Sequence, residues 1–310
     1  MKTIVLFHSN CPDGFGAALA FWQHYQDQAT YIPVNYGQPV PEMELGQETN
    51  LFIVDFSYPR PVLKDLSRRV NRLVVLDHHA TAKADLAGLE EELQAEQALG
   101  DPHIIRFDMD HSGAVMAWMY LHPSVSMPIE DVCPLFFRYL EDRDLWRFKL
   151  PKSKEVSTAM RLYPFDFEIW NGLVNQIPKL MDQGEIALKL TDNMVDAMCK
   201  NRRWASIRID RKSGQIGAVV DFRKEKPTAG FSDACEYFAA PVANATVAFS
   251  EVGQKLLELH PECDFALYYF DRADKRQWGI RARDGYDATP VAKAFGGGGH
   301  PQACGFTTDL

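Results

Sequence analysis

Short apolar runs alternate with stretches of helical spacing along residues 1–80. Most of these runs are rich in Val, Ile and Leu without polar alternation, which is typical of strands buried on both faces. We predict strands over 3–8, 29–36, 51–56 and 72–76, and helices over 13–26 and 60–70. Because strands alternate with helices, the pattern predicts an α/β fold with a doubly wound, mainly parallel sheet.

The pattern changes after residue 80, where residues 81–198 have mainly helical spacing. Ser112 is the expected N-cap of a helix over 114–121, and further helices are expected over 129–140 and 182–203. Strand-like runs return at 205–209, 216–220, 264–270 and 277–283, and a polar turn over 271–276 makes the last two a predicted hairpin. We therefore predict a first domain over 1–150, a helical connector over 151–204 and a smaller mixed α/β domain over 205–310.

Composition excludes several classes of protein. The 310 residues are 46% hydrophobic, which argues against a disordered chain, and no apolar run approaches the length of a membrane span. The N-terminal apolar run is short and reaches polar residues at once, so we expect a cytoplasmic protein. The six cysteines have no CxxC spacing, which indicates neither a zinc knuckle nor a disulfide framework.

The net charge of the chain limits the kinds of binding partner that we expect. With 33 basic and 42 acidic residues, the chain has a formal net charge of −9. An acidic chain is a poor general binder of nucleic acid, so we expect neither long duplex nucleic acid nor a membrane as partner. If the substrate is anionic, a metal ion or a few arginines must attract it locally. The oligomeric state is not predicted.

Acidic and histidine side chains follow three of the predicted strands. His8 ends the first strand and is followed by Asp13, Asp55 ends a second, and Asp77-His78-His79 follows a third. Taken singly, an Asp after a strand is most often a turn residue or a helix cap. The carboxyl ends of parallel strands share one edge of a sheet, so together these residues predict a metal site there. Imidazole nitrogens and carboxylate oxygens together suit Mn²⁺, Mg²⁺ or Zn²⁺, and the absence of cysteine pairs favours the harder ions.

These motifs resemble the DHH phosphoesterase superfamily, which includes RecJ-like exonucleases, oligoribonucleases (nanoRNases), cyclic-dinucleotide phosphodiesterases and family II pyrophosphatases. The resemblance spans both predicted domains. Residues 140–146 (LEDRDLW) lie where the family places its fourth metal aspartate, and residues 296–306 (GGGGHPQACGF) resemble the GGGH signature of the accompanying DHHA1 domain. Residues 11–16 (CPDGFG) are most similar to the branch described as oligoribonuclease or cyclic-nucleotide phosphodiesterase.

The resemblance implies two divalent ions, Mn²⁺ or Mg²⁺. Asp55 would bridge them, His79 would face the scissile phosphate, and Asp77 would be a ligand or would orient a ligand. The implied catalytic residues are Asp77, His78 and His79, and the implied metal ligands are His8, Asp13, Asp55, Asp77, His78, Asp142 and Asp144. Asp142 and Asp144 compete for the fourth-motif position, with Asp144 favoured because it directly precedes Leu-Trp.

The first motif departs from the family at Cys11, where many relatives have an aspartate two positions before Asp13. Either the second metal has a depleted ligand set, or Asn10, Asp142 or a water completes it. Cys11 itself is a thiolate ligand or, as we favour, a small buried residue.

The implied substrate-binding residues lie in the second predicted domain. Successive glycines let backbone N–H groups face one anion, and arginines two apart on a strand share a face. The alternatives are a flexible loop and solvated arginines. The predicted set is Gly297, Gly298, Gly299, His300, Arg281 and Arg283.

The predicted function is that of a hydrolase: a metal-dependent phosphodiesterase that cleaves short oligoribonucleotides or linear dinucleotides with a metal-activated water. The alternative activities are pyrophosphatase or polyphosphatase and cyclic-nucleotide phosphodiesterase. An alternative of another class is a nucleotide- or nucleic-acid-binding protein whose catalytic centre has decayed.

Overall fold

The computed structural model describes residues 1–35, 37–96, 101–123, 127–210, 217–231 and 235–310. The chain forms two compact units, Met1–Leu188 and Lys189–Leu310, and each is described by itself. Tyr36 and Ile216, at the ends of two predicted strands, lie outside the described residues. The predicted boundaries at 150 and 204 remain predictions.

A parallel sheet is the centre of the first unit. Its described residues contain the strands β1 (Lys2–His8), β2 (Ala29–Val34), β3 (Thr49–Val54), β4 (Arg72–Asp77) and β5 (Ile104–Phe107). The strand order is β2-β1-β3-β4-β5, and every neighbouring pair is parallel. The predicted parallel α/β architecture is therefore confirmed. β5 was not predicted, because this short strand is only partly buried and has an exposed arginine in its middle.

Helices cover both faces of this sheet, which explains the continuous apolar runs. Val5 and Phe7 pack into one hydrophobic core, and Ile4 and Leu6 pack into another, so alternate residues of β1 face opposite sides. The α-helices that begin in the described residues of this unit are α1 (Pro12–Tyr25), α2 (Arg60–Arg69), α3 (Ala80–Asp85), α4 (Leu89–Glu96), α5 (Gly113–Leu121), α6 (Ile129–Val132), α7 (Leu135–Asp144), α8 (Ser153–Met160), α9 (Phe167–Leu173) and α10 (Ile177–Lys200), the last of which continues past Leu188.

Two predicted helices differ from the structure. The predicted helix over 129–140 is two helices, α6 and α7, because Cys133 is extended before Pro134 and proline disfavours the helical conformation in the residue before it. The long helix expected over 182–203 is α10, which begins earlier, at Ile177, and ends at Lys200. Within the described ranges, no helix is both long and apolar enough to span a membrane.

A mixed sheet forms the second unit. Its strands and helices within the described ranges are β6 (Arg203–Asp210), β7 (Gly217–Arg223), β8 (Gly230–Phe231), β9 (Cys235–Asn244), α11 (Phe249–Leu259), β10 (Phe265–Arg272), β11 (Lys275–Ala282), α12 (Thr289–Ala294), β12 (Gly298–His300) and β13 (Ala303–Asp309). The order is β12-β13-β11-β10-β9-β6-β7, with β8 paired to β9. β9 and β10 are parallel, whereas the other pairs are antiparallel.

The predicted hairpin of this unit is confirmed as β10 and β11. Its predicted turn, 271–276, is too long, because most of these residues belong to the strands. Asp271 and Arg276 pair across the hairpin through two hydrogen bonds of 2.6 and 2.8 Å. These two charged residues therefore belong to exposed strand ends rather than to a loop.

Candidate metal centre

The candidate site lies at the carboxyl end of the parallel sheet. The chain passes from β1 to β2 on one side and continues with β3 on the other, so the strand order reverses between β1 and β3. Ligands of open α/β sheets bind outside the strand ends at such a switch point. His8 ends β1, Asp55 follows β3 and Asp77 ends β4, so the predicted convergence of three adjacent strands agrees with the topology.

Four predicted residues come together at this point. His78 Nε2 lies 3.1 Å from Asp55 Oδ1, 3.8 Å from Asp13 Oδ2 and 3.5 Å from Asp144 Oδ2. Asp13 and Asp55 are each 1% exposed and His78 is 2% exposed, whereas the Asp144 side chain is 31% exposed. Three of the four side chains are therefore almost completely buried, and Asp144 is the one that solvent reaches.

The backbone around Asp55 is unusual. Asp55 has a φ of +61°, in the left-handed region that aspartate tolerates better than most residues. Gly113 begins α5 directly against this turn: a Cβ built on it would lie 2.6 Å from Asp55 Cβ and 2.9 Å from Asp13 Oδ2. Only glycine lets the start of α5 approach both carboxylates this closely.

Ser112 and Glu141 support Asp13, and sequence reasoning missed both roles. Ser112 is the N-cap residue of α5, as predicted, but its side chain makes no cap hydrogen bond. Its Oγ donates instead to Asp13 Oδ1 at 2.6 Å, and the same oxygen accepts the Ala114 N–H at 3.2 Å. Glu141 Oε2 accepts the Ser112 N–H at 3.0 Å. Asp13 therefore caps the N-terminus of α5 although it lies far away in the sequence, and no local sequence pattern predicts this role.

Asp77 orients His79. Its Oδ1 lies 2.7 Å from His79 Nδ1 and also accepts the backbone N–H groups of His78 and His79, while its Oδ2 accepts the Ser57 hydroxyl. Both oxygens are therefore engaged. This geometry supports the predicted alternative that Asp77 is an orienting partner, but the partner ring is His79 and the contacts give no support to Asp77 as a direct ligand.

The two aspartates of the fourth motif have different surroundings. Asp142 Oδ1 accepts the Lys149 N–H at 2.9 Å and its Oδ2 accepts the Leu150 N–H at 3.0 Å, so Asp142 holds the loop that follows α7. Asp144 faces His78 instead. The geometry favours Asp144 for the cluster and does not support Asp142 as a ligand, because both Asp142 oxygens are used within the loop.

Burial and the neighbouring charges shift the pKa values of the residues in the cluster. Burial, followed by the nearby Asp55 and Asp144 carboxylates, raises the pKa of Asp13 well above its ordinary value. Burial also acts to raise the pKa of Asp55, but its interactions with His78 and His8 outweigh this and hold the pKa below its usual range. Burial acts to lower the pKa of His78, yet the hydrogen bond to Asp55 and the surrounding carboxylates raise it to about 10.

His8 and Cys11 lie on the other side of Asp55. His8 Nδ1 is 3.5 Å from Asp55 Oδ2, and the potential ligand atoms of His8, Cys11 and Asp55 lie within 4.8 Å of one another. Burial, followed by the Asp55 carboxylate, raises the pKa of the Cys11 thiol well above its ordinary value. The sulfur is therefore protonated in the metal-free chain.

The donor set fits a divalent cation. Neither Asp13 Oδ2 nor Asp55 Oδ2 accepts a hydrogen bond from any residue that the structure describes, although both atoms are buried. The ligand atoms of Asp13, Asp55 and His78 also lie within 4.8 Å of one another. Buried carboxylate oxygens without donors are costly unless a cation accompanies them, so these oxygens are suited to metal binding.

The predicted substrate-binding residues lie in the second unit. The last two glycines of the run belong to β12, which pairs with β13, whereas Gly296 and Gly297 precede this strand. Gly299 has a φ of +133°, and a Cβ on Gly297 would lie 2.0 Å from the Gly305 carbonyl oxygen, so these glycines are required by the strand packing itself. Gly298 and His300 pair with β13 in the same ladder.

The two predicted arginines differ. Arg283 donates from Nε to the Cys263 carbonyl and from Nη2 to the carbonyls of Leu257 and His260, so its guanidinium holds the end of α11. These contacts give Arg283 a structural role that requires no bound substrate. Arg281 is 8% exposed on β11 and packs closely against α11 at Gly253. Substrate binding by the residues of this unit stays a prediction.

Comparisons with known proteins give distant similarities. No protein-family model matches the chain. An uncharacterised protein of Acanthamoeba polyphaga mimivirus is 26% identical over 97% of this chain, and the match spans 66% of that protein's length.

Three solved structures align with the chain at low similarity. An uncharacterised protein from Helicobacter pylori G27 is 14% identical, with a TM-score of 0.40 over 100% of this chain and 93% of that one. A pGpG-specific phosphodiesterase from Vibrio cholerae is 11% identical, with a TM-score of 0.41 over 100% and 94% of the two chains. An exopolyphosphatase-related protein from Bacteroides fragilis is 11% identical, with a TM-score of 0.42 over 98% and 86%.

Proposed function

We propose that the chain is a divalent-metal-dependent phosphodiesterase of the DHH/DHHA1 type that hydrolyses short oligoribonucleotides or linear dinucleotides. The observation that carries the proposal is the buried cluster at the switch point, where Asp13 and Asp55 each keep one carboxylate oxygen without a hydrogen-bond donor among the described residues. The sequence resemblance supplies the reaction class.

The charges of the cluster favour a bound cation over a purely structural ion pair. Asp13, Asp55 and Asp144 are three carboxylates around a single protonated His78, which leaves two negative charges if all three are ionised. Burial, followed by the Asp55 and Asp144 carboxylates, raises the pKa of Asp13. A bound divalent ion would offset the excess charge and favour the ionised form of Asp13.

A bound divalent ion supplies an activated water and offsets the charge that develops on the phosphoryl oxygens. Asp13, Asp55, His78 and Asp144 would hold it. Ser112 keeps one oxygen of Asp13 engaged, so the other oxygen is directed toward the cluster.

His79 is suited to the substrate. Burial acts to lower the pKa of His79, but the Asp77 carboxylate outweighs this and raises it, which favours the imidazolium form. Its Nδ1 is engaged by Asp77, and we propose that Nε2 donates to a phosphate oxygen of the substrate.

The acidic chain favours short substrates. Nucleotides that extend beyond the site meet a protein with a net charge of −9 and gain little attraction. We expect kcat/KM to fall at least about tenfold from a dinucleotide to a long single strand. Added salt should narrow this difference, because it screens repulsion beyond ~8 Å.

The test begins with protein stripped of metal by a chelator and reloaded with Mn²⁺. The substrates are 5′-phosphorylated oligoribonucleotides from dimers to heptamers, cyclic nucleotides, pyrophosphate and a long single strand. We expect Mn²⁺-dependent cleavage that is fastest on the dimer. Asp55→Asn should abolish it, whereas the control Asp65→Asn, an exposed residue of α2, should leave it unchanged.

The other outcomes discriminate among functions. Preferred hydrolysis of pyrophosphate or of a cyclic nucleotide would replace the proposed substrate class with one of the alternatives. Metal binding without hydrolysis of any substrate would favour the binding protein. Undiminished cleavage after complete metal removal would overturn the proposal altogether.

A further inference from the structure

Asp55 lies between two different groups of potential metal ligands. Its Oδ1 faces His78 Nε2 at 3.1 Å, beside Asp13, and its Oδ2 faces His8 Nδ1 at 3.5 Å, beside Cys11. Each group of three places its ligand atoms within 4.8 Å of one another. We call Asp13, Asp55 and His78 the oxygen-rich subsite, and His8, Cys11 and Asp55 the sulfur subsite.

Local backbone structure brings Cys11 to this position. Cys11 precedes α1 in an extended conformation, and Asn10 just before it has a φ of +55°. This left-handed residue reverses the chain between the end of β1 and the start of α1. His8 and Cys11 are three residues apart in the chain, and this turn brings both of them close to Asp55.

The sulfur subsite does not rest on the cysteine alone. Asp55 Oδ2 is buried, and no described residue donates to it with hydrogen-bond geometry; the His8 imidazole is its neighbour, with Nδ1 3.5 Å away. An imidazole nitrogen, a sulfur and this oxygen together form a mixed ligand set.

The chemistry of the two sets differs. Carboxylate ligands suit Mg²⁺ and Mn²⁺, whereas thiolate together with imidazole selects Zn²⁺ and similar thiophilic ions. Coordination deprotonates a thiol, so binding at the sulfur subsite would release the Cys11 proton to solvent. Cys11 is only partly buried, which differs from the small buried residue favoured from the sequence.

We infer that the centre is asymmetric: the sulfur subsite, with Cys11 as a thiolate ligand, takes a thiophilic divalent ion of the Zn²⁺ class, and the oxygen-rich subsite takes Mn²⁺ or Mg²⁺. This inference rests on the proposed metal-dependent function. It assigns to Cys11 the ligand role that the sequence left open, and it makes the natural cofactor a pair of unlike ions.

The test uses Co²⁺ as a spectroscopic probe of the full-length, metal-free protein. Thiolate coordination produces a sulfur-to-Co²⁺ charge-transfer band in the near ultraviolet. We expect this band in the unmodified chain and its loss in Cys11→Ser. The control is Cys235→Ser, a cysteine that is likewise partly exposed but lies on β9, and this variant should keep the band.

A second variant tests selectivity. Cys11→Asp replaces the sulfur with a carboxylate, so the preference for Zn²⁺ over Mn²⁺, measured by competition with a metal-binding dye, should fall at least about tenfold. Circular dichroism and retained Mn²⁺ binding at the oxygen-rich subsite would show that each variant is folded.

The outcomes separate this inference from the proposed function. Co²⁺ binding without the charge-transfer band, or a band that survives in Cys11→Ser, would overturn the sulfur subsite and leave the phosphodiesterase proposal standing. A Cys11-dependent band in a protein that hydrolyses no phosphate ester with any metal would overturn the activity but retain the subsite.

Discussion

Replacing Gly113 with alanine tests whether the close approach of α5 to the two carboxylates holds the site together. The new Cβ would lie 2.6 Å from Asp55 Cβ and 2.9 Å from both Asp13 Oδ2 and Asp55 Oδ1. All three atoms belong to buried side chains, and Asp13 is also tied to Ser112, so the clash cannot be relieved by moving one flexible end.

The magnitude follows from two opposing effects. Overpacking a buried position costs about 1–3 kcal/mol. Alanine in place of glycine within a helix returns up to about 1 kcal/mol. If the full gain is realised, the net loss in the free energy of unfolding is about 0–2 kcal/mol, which lowers Tm by up to about 8 °C for a unit of this size. Because the displaced groups are the proposed ligands, Mn²⁺ affinity should fall at least about tenfold.

The matched control is Gly172→Ala in α9, where a Cβ would meet no atom within 4 Å. Here only the helix-propensity gain remains, so Tm should stay equal or rise slightly. Thermal unfolding followed by circular dichroism and Mn²⁺ titration measure both variants. If Gly113→Ala is as stable as the unmodified chain and binds Mn²⁺ equally well, the reasoning about the packed carboxylates is wrong.

Three further predictions concern the metal, the fourth motif and pH. Saturating Mn²⁺ at about a hundred times Kd should raise Tm by about 5–11 °C over chelator-treated protein, and an unchanged Tm would contradict metal binding by the folded state. Asp142→Asn should lower the free energy of unfolding by about 1–3 kcal/mol, because one loop N–H loses its acceptor. Asp144→Asn should preserve stability without metal and weaken Mn²⁺ binding. Equal effects of the two variants would contradict a loop role for Asp142 and a ligand role for Asp144. The hydrogen bond to Glu141 raises the pKa of His111 above 6.5, so its stabilisation is present below that pH and lost as the pH rises through the higher folded-state pKa. His111→Gln should therefore lower Tm more at pH 6 than at pH 9, and a larger loss at pH 9 would reverse the sign of this argument.

The periodicity of the sequence was sufficient to predict four of the five described strands of the first sheet and the edge at which the candidate site lies. The strands β1, β3 and β4 are buried on both faces, so their apolar runs are continuous and easily recognised in the sequence. Parallel pairing then places their carboxyl ends together without further information. β5 escaped prediction because a short, partly exposed strand has no such run.

Contacts between residues far apart in the sequence determined the roles of the individual site residues. Ser112 and Asp13 are 99 residues apart in the chain, and their hydrogen bond turns an expected N-cap into a support for a carboxylate. Asp142 and Asp144 are equivalent in sequence, and only the fold directs one to the loop backbone and the other to His78. Spacing determines which residues reach an edge of the sheet, whereas their roles depend on which donors and charges the tertiary structure places around each one.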